Sequence, residues 1–362
     1  MLKYVDDSRP GITRKKLRLG WGYYGPDGKR ITDRDEIERL NGIGMPPAYE
    51  KCWFCPDPNG HLQAVGYDAR GRKQYRYHPD FRANRETRKY ERLADFGRAL
   101  PKLRKRIEED IKGRPTAPET VVAAVVRLIE STHIRVGNEE YAKENKSFGA
   151  TTLRNRHASV NGHKVRITYA GKHNIKRTVT ITDRNLARIA RRTQDLPGQH
   201  LFEYHDEEGE VRPVSSSDVN AYVRDAMGDD FTAKDFRTWG ASVIAFEEIV
   251  RRHESERKIN LKNVIAPVAE ALGNTPAISR KSYVHPALIE ALKDAGAIGD
   301  RALPRATKYL SSHERGLIEF LDALPKEAGK RRRKANGKDK PPSDARSQLK
   351  ASVASPSSSC RT

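Results

Sequence analysis

Tight-turn signals at Pro26-Asp27-Gly28, Pro58-Asn59-Gly60 and Arg70-Gly71 cut the first 85 residues into short runs. Leu17 to Tyr24, Arg30 to Thr32, Lys51 to Cys55, His61 to Asp68 and Lys73 to His78 read as strands, with a short helix at Arg34 to Leu40 among them. From about Asn84 the pattern becomes helical. Arg85 to Ile111 carries dense charge with spaced Leu, Ile and Phe, and Pro101 marks a break or a fresh helix start. Strand signals gathered in front of helical ones imply an α+β fold. A small β-rich domain is expected over residues 1–85 and a larger, mainly helical one over 86–325.

The second part opens with a helix after Pro118, whose Val121, Val122, Val125, Val126, Leu128 and Ile129 are apolar enough for core, and which delivers Arg135 at its end. Residues 158–182 read as a strand meander. Asn161-Gly162 is a hairpin turn, Val165, Ile167 and Tyr169 alternate, and Val179 and Ile181 resume after the loop from Gly171 to Asn174, which leaves Lys172 at a hairpin tip. Helices are then expected at Arg184 to Arg192, Asp218 to Met227, Lys234 to Arg252, Val264 to Leu272 and Pro286 to Asp294. Residues 326–362 lack the apolar residues to build a core and read as a basic, disordered tail.

The chain has 69 basic against 48 acidic side chains, a net charge of +21. Residues 326–362 account for +8 of that, so +13 belongs to the preceding 325 residues and the tail does not explain the basicity. Such a surface suits a polyanion, bound with steep salt dependence. No apolar run approaches the roughly twenty residues of a membrane span, and the N-terminus has no signal-peptide core, so an intracellular protein is expected. Cys52, Cys55 and Cys360 do not make a disulfide framework. Cys52-Trp53-Phe54-Cys55 has zinc-ligand spacing, but no second pair follows and His61 and His78 would have to complete the site; alternation points instead to a strand with one thiol buried.

Tyr283 stands late in the chain, in Ser279-Arg280-Lys281-Ser282-Tyr283. A phenol with an ordinary pKa near about 10 attacks phosphorus only where cations favour its ionised form. The transition state loads charge onto non-bridging oxygens, which suits arginine forks, and the departing 5′ oxygen needs a proton, which a lysine can supply. Arg135, Arg237 and Lys172 are the candidates. Singly, each has a plainer reading: a helix-end arginine is usually a cap or surface ion pair, and a turn lysine is usually just solvated. The chain also has no phosphate-binding Gly-x-x-x-x-Gly-Lys-Ser/Thr loop and no convincing carboxylate cluster for a metal.

Four stretches in order override those plainer readings. Gly66 to Tyr77, Arg135 to Asn145, Lys234 to Gly240 and Gly273 to Tyr283 together closely resemble the small type IB DNA topoisomerases of bacteria and poxviruses, and the likeness covers most of residues 20–290. The resemblance implies a β-rich domain and a helical catalytic domain forming a C-shaped clamp around duplex DNA, opening near Arg85 to Arg88. It implies a monomer, cytoplasmic and nucleoid-associated, that relaxes supercoils without ATP, cofactor or metal. Tyr283 matches the nucleophile that forms a 3′-phosphotyrosyl link, and Arg135 and Arg237 match the arginines on the scissile phosphate. Lys172, 37 residues after Arg135, matches the general acid, with Lys176 the alternative. Asn274 stands where the viral enzymes carry a histidine on a non-bridging oxygen; an amide donates a neutral hydrogen bond and adds no charge.

Further positions are expected to bind DNA. Gly137, Tyr141 and Lys143 follow Arg135 and suit the phosphate backbone, or simply support the fold. Arg70, Arg72 and Lys73 form a basic loop beside Gln74, Tyr75 and Tyr77, and the two tyrosines share one strand face. Lys234, in Lys234-Asp235-Phe236-Arg237, stands where tyrosine recombinases usually carry the histidine of His-x-x-Arg, which favours a topoisomerase over a recombinase. A non-catalytic basic DNA-binding protein would explain the charge but not the ordered motifs.

Overall fold

A computed structural model of the chain describes residues 1–255, 258–293, 298 and 302–325. The basic tail expected over 326–362, Cys360 with it, and Asp294 lie outside them. Met1–Phe320 pack as one compact unit, and residues 321–325 fall outside it.

Five antiparallel strands, β1 (Ile12–Leu17), β2 (Gly20–Tyr24), β3 (Glu50–Phe54), β4 (Leu62–Tyr67) and β5 (Lys73–Tyr77), make the first sheet in the order β2-β1-β3-β4-β5. The run expected as one strand from Leu17 is a hairpin instead. Leu17 pairs with Gly20, whose φ of +102° turns the chain back, and β1 precedes it. β1 has no alternating signature in sequence, because only Ile12 along it is buried while Thr13 to Lys16 are polar. Arg30 makes a single bridge to Tyr24 rather than a strand. Ile12, Tyr23, Leu40, Met45, Cys52, Phe54 and Ala64 form the core beneath, closed by α1 (Arg34–Gly42).

Cys52 and Cys55 are both buried, at 7% and 1% exposure, which corrects the expectation of a single buried thiol. β3 ends at Phe54, so Cys55 leaves the strand's alternation and turns inward. Burial pushes both thiols up. His61 Nδ1 accepts from the Val5 N–H (3.1 Å) and its ring lies 4.9 Å from that of Phe81. His78 caps the next helix by accepting from the Asp80 N–H (3.1 Å), so both imidazoles serve elsewhere.

Helices α2 (Pro79–Glu91) and α3 (Leu93–Asp110) follow directly. The helix begins at Pro79 rather than near Asn84, the stretch from Arg85 to Arg88 lies inside α2, and the run breaks at Arg92. α3 continues through Pro101. The lost hydrogen bond costs about 3 kcal/mol, but Leu93, Phe96, Leu100, Leu103 and Ile107 bury one stripe of the helix and offset it. α4 (Pro118–Thr132), buried almost throughout, packs beside α3, and α5 (Glu139–Asn145) follows.

The strands β6 (Ala158–Asn161), β7 (Lys164–Ala170) and β8 (Lys176–Thr182) form the second sheet, in register across the Gly162 turn. The rest comprises α6 (Arg184–Gln194), the small hairpin β9 (Glu203–His205) and β10 (Val211–Pro213), α7 (Ser216–Met227), α8 (Asp235–Glu254), α9 (Leu261–Leu272), α10 (Pro276–Ser282), α11 (Pro286–Glu290) and α12 (Ser312–Asp322). The final expected helix is shorter than the sequence suggested, ending at Glu290 with a single tight turn at Ala291–Lys293. Arg104 on α3 pairs with Glu130 (2.5 Å) and Glu314 (2.6 Å), joining α3, α4 and α12. No helix among the described residues is long and apolar enough to cross a membrane.

Candidate active site

α4 stops because His133 adopts a left-handed conformation (φ 53°), and the chain leaves the helix in a new direction through Ile134 and Arg135. This strap is pinned from behind: the Ala150 N–H donates to the Arg135 carbonyl and the Thr151 N–H to the Val136 carbonyl, both 2.8 Å. Gly137 (φ +103°) and Gly149 let the two segments touch. A Cβ on Gly149 would sit 2.5 Å from the Arg135 carbonyl oxygen and 2.6 Å from Gly137. Gly137 therefore has a packing role at the base of the Arg135 strap.

Arg237 lies in the first turn of α8 and is 4% exposed. Its guanidinium donates to the His133 carbonyl and, at 3.0 Å, to the Leu272 carbonyl, so it satisfies the open ends of α4 and α9 together. Its carbon lies 5.0 Å from the centre of the Tyr283 ring. Burial, then repulsion from Arg135, lowers Arg237 to about 10.

α9 ends in Gly273 (φ 59°), and Asn274 follows. Asn274 Oδ1 accepts from Arg135 Nη2 at 2.7 Å, while its Nδ2 is buried with no partner among the described residues. Tyr283 occupies the C-terminal cap of α10. Burial pushes its phenol up, but the charge and hydrogen bonding of Arg237, and then of Arg135, outweigh burial and hold it below its usual range. Arg135, Arg237, Asn274 and Tyr283, spread over 149 positions of sequence, thus form one cluster.

Lys172 stands apart. It opens the tight turn Lys172–Asn174 between β7 and β8, exposed, and its ammonium has no partner among the described residues. Lys234 precedes α8, exposed, and Lys143 on α5 is also exposed.

The expected DNA-binding residues divide into two groups. Tyr75 and Tyr77 stack with ring centres 6.0 Å apart on one face of β5, and the Lys73 ammonium lies 5.5 Å from the Tyr75 ring while pairing with Asp7. Arg72 pairs with Asp68 (2.8 Å), which also accepts from Gln74 (3.2 Å). The second group joins the β4–β5 turn to α5: Arg70 donates to Asn145, and the Arg72 guanidinium lies 5.9 Å from the Tyr141 ring.

Two ionisable groups at this site were not singled out from sequence. Arg177 on β8 donates to the Ala271 carbonyl (2.9 Å) at the end of α9 and fills the space beside Gly273, where a Cβ would fall 1.7 Å from its Nη1. The signal available was a helix ending in glycine, which favours a nearby cation, but nothing in sequence says that the cation comes from a strand 94 residues upstream. His133 packs against Gly240, and burial, with Arg237 and Arg177 adding to it, lowers its imidazole to about 4.

Residues 78–309 match the profile of the eukaryotic DNA topoisomerase I catalytic core, and residues 20–68 that of the bacterial DNA topoisomerase IB N-terminal domain. The first match spans most of the chain and defines the class as a type I DNA topoisomerase. DNA topoisomerase 1B of Acanthamoeba polyphaga mimivirus is 34% identical over 285 residues, 76% of this chain and 85% of its own length. DNA topoisomerase 1B of Vaccinia virus (strain Copenhagen) is 24% identical over 292 residues, 74% and 88% of the two chains. The chain belongs to the type IB DNA topoisomerases, in their small bacterial and viral branch, and is an isomerase that relaxes supercoiled DNA. A solved XerH site-specific recombinase, bound to palindromic difH substrate, is 17% identical over 55% of this chain and 51% of its own, with a TM-score of 0.35, too remote to carry an argument.

Proposed function

We propose that Tyr283 Oη attacks the scissile phosphorus of duplex DNA. The P–O5′ bond breaks, a 3′-phosphotyrosyl ester forms, and the phenol proton leaves to solvent. Arg135 and Arg237 hold the non-bridging oxygens and balance the charge that grows there. Asn274, oriented by Arg135, turns its unpartnered Nδ2 to the same phosphate as a neutral donor. Lys172 gives its proton to the departing 5′ oxygen; its exposed hairpin tip reaches that atom once DNA fills the site. Reversal reseals the strand after the free end has rotated, and the ester conserves the bond energy, so no nucleotide is consumed.

The observation that carries this reading is the convergence of Arg135 and Arg237 on a phenol held below its usual range. The clamp is supported by the contacts of Arg70 and Arg72 with Asn145 and Tyr141, a second meeting of residues 1–85 with the helical part besides α2. In this reading residues 1–85 grip the duplex, with Gln74, Tyr75 and Tyr77 toward the major groove, and 86–325 carry the chemistry. Tyr141, Lys143 and Lys234 line the backbone path, while Gly137 shapes the strap that presents Arg135. The enzyme acts as a monomer on nucleoid DNA in the cytoplasm, and the basic residues 326–362 add non-specific affinity.

The test is relaxation of positively and negatively supercoiled plasmid in EDTA without ATP, beside Tyr283→Phe. The parent is expected to relax both and the variant neither. A parent that binds DNA but relaxes nothing would move the reading to a recombinase needing its own sites, or to an architectural binder.

A further inference from the structure

α2 starts two residues beyond the last residue of β5 and ends beside the nucleophile. Lys89, in its last turn, extends Nζ to the Ser282 carbonyl at 2.7 Å, a contact across 193 positions of sequence and the peptide immediately before Tyr283. The neighbouring Tyr90 ring packs edge-on against His285, with centres 5.3 Å apart at 75°. α2 therefore holds the chain on both sides of Tyr283.

α8 holds the same stretch from a second direction. Ser242 Oγ accepts from the His285 N–H (3.1 Å) and donates to the Tyr283 carbonyl (3.4 Å). The seven-residue α10 cannot fix Tyr283 by itself, since Tyr283 has already left helical geometry at φ −133°. An ammonium on its last carbonyls is a charge-assisted contact that also complements the negative end of the helix. Burial lowers the Lys89 pKa, the cost of holding that cation here.

We propose that Lys89 is a positioning residue for strand cleavage: bonded to the Ser282 carbonyl, it sets the backbone from which Tyr283 reaches the phosphate, and links β5, through α2, to the nucleophile. The inference rests on Tyr283 being the nucleophile. Movement of β5 onto DNA carries α2 with it, so engagement by the β-sheet and alignment of the phenol are mechanically one event. The Lys89 ammonium lies 4.2 Å from the centre of the Tyr90 ring and feels the Tyr283 charge, but in this account it hydrogen-bonds neither the phosphate nor the Tyr283 phenol.

The test is single-turnover cleavage of a suicide duplex by the full chain, comparing the parent with Lys89→Met, Lys89→Arg and Tyr283→Phe at saturating DNA. Misplacing a reacting group by about 1 Å costs up to about a hundredfold, so Lys89→Met is expected to cleave about tenfold more slowly, with Kd and Tm unchanged. Lys89→Arg, which keeps the donor, is expected to restore cleavage to within about twofold of the parent. Parental cleavage by Lys89→Met overturns the inference. So does a loss confined to DNA affinity, or a fall in Tm with no rescue by arginine. Cleavage persisting in Tyr283→Phe would instead overturn the reading of the nucleophile, and the two failures are thereby distinct.

Discussion

Arg237→Lys keeps the charge of the buried arginine while removing its fork, and so separates geometry from electrostatics. Arg237 spends one Nη on the His133 carbonyl and the other on the Leu272 carbonyl, at 4% exposure. A lysine places all its donors on one atom, which cannot meet two carbonyls from different helices and a phosphate oxygen as well. At least one carbonyl is left buried without a partner, costing about 1–3 kcal/mol of stability, which lowers Tm by a few degrees. Loss of one oriented donor to the developing charge slows cleavage by about 10²- to 10³-fold. The assay is single-turnover cleavage at saturating duplex, with thermal unfolding in parallel. The pH profile adds a second readout. Arg237 and Arg135 hold Tyr283 below its usual range against the upward push of burial. Arg237→Ala removes the larger of the two lowering influences, so the rising limb that reports phenol ionisation moves to higher pH; Arg237→Lys retains a charge, so that limb moves less. Cleavage by Arg237→Lys within threefold of the parent, at an unchanged Tm, would refute the claim that the two-carbonyl fork places this group.

Two further outcomes follow from the same geometry. Lys172→Ala is expected to slow cleavage by about 10²- to 10⁴-fold and to recover on DNA with a bridging 5′-phosphorothiolate, whose leaving group needs no proton; absence of rescue rules Lys172 out as the acid. His133 is held down at about 4 by burial, against an ordinary value of about 6.5. As pH falls the unfolded chain takes up the proton first, so this group's contribution is whole above about pH 6.5 and is lost progressively toward pH 4. Between pH 7 and 5 the loss is about 2 kcal/mol. Urea unfolding of His133→Gln is expected to show a shallower pH dependence than the parent over that range, and equal slopes would contradict the assignment.

Local pattern carried much of the architecture because it acts through neighbouring residues. The apolar face from Val121 to Ile129, the Gly162 turn and the alternation through Val165, Ile167 and Tyr169 each declare their element within a few positions. Elements stabilised by distant partners were harder to read. β1 is mostly polar and is a strand because β2 and β3 flank it. Pro101 looked like a terminus and is not, since the buried stripe around it outweighs one missing hydrogen bond. Alternation along Lys51 to Cys55 implies one buried thiol, but the strand ends at Phe54 and Cys55, just past it, is buried as well.

By itself the sequence marked out the candidates for chemistry, a late tyrosine, two arginines, a hairpin lysine and an amide with recognisable neighbours, on a chain charged to meet phosphate. Only the tertiary structure decided how they serve one another. Arg237 doubles as the joint between α4 and α9, Arg177 arrives from a strand to close α9, and Lys89 reaches the peptide before Tyr283. The physical reason is the same for each. A helix end leaves carbonyls that must be satisfied, local sequence announces that need, and only packing selects which distant cation meets it.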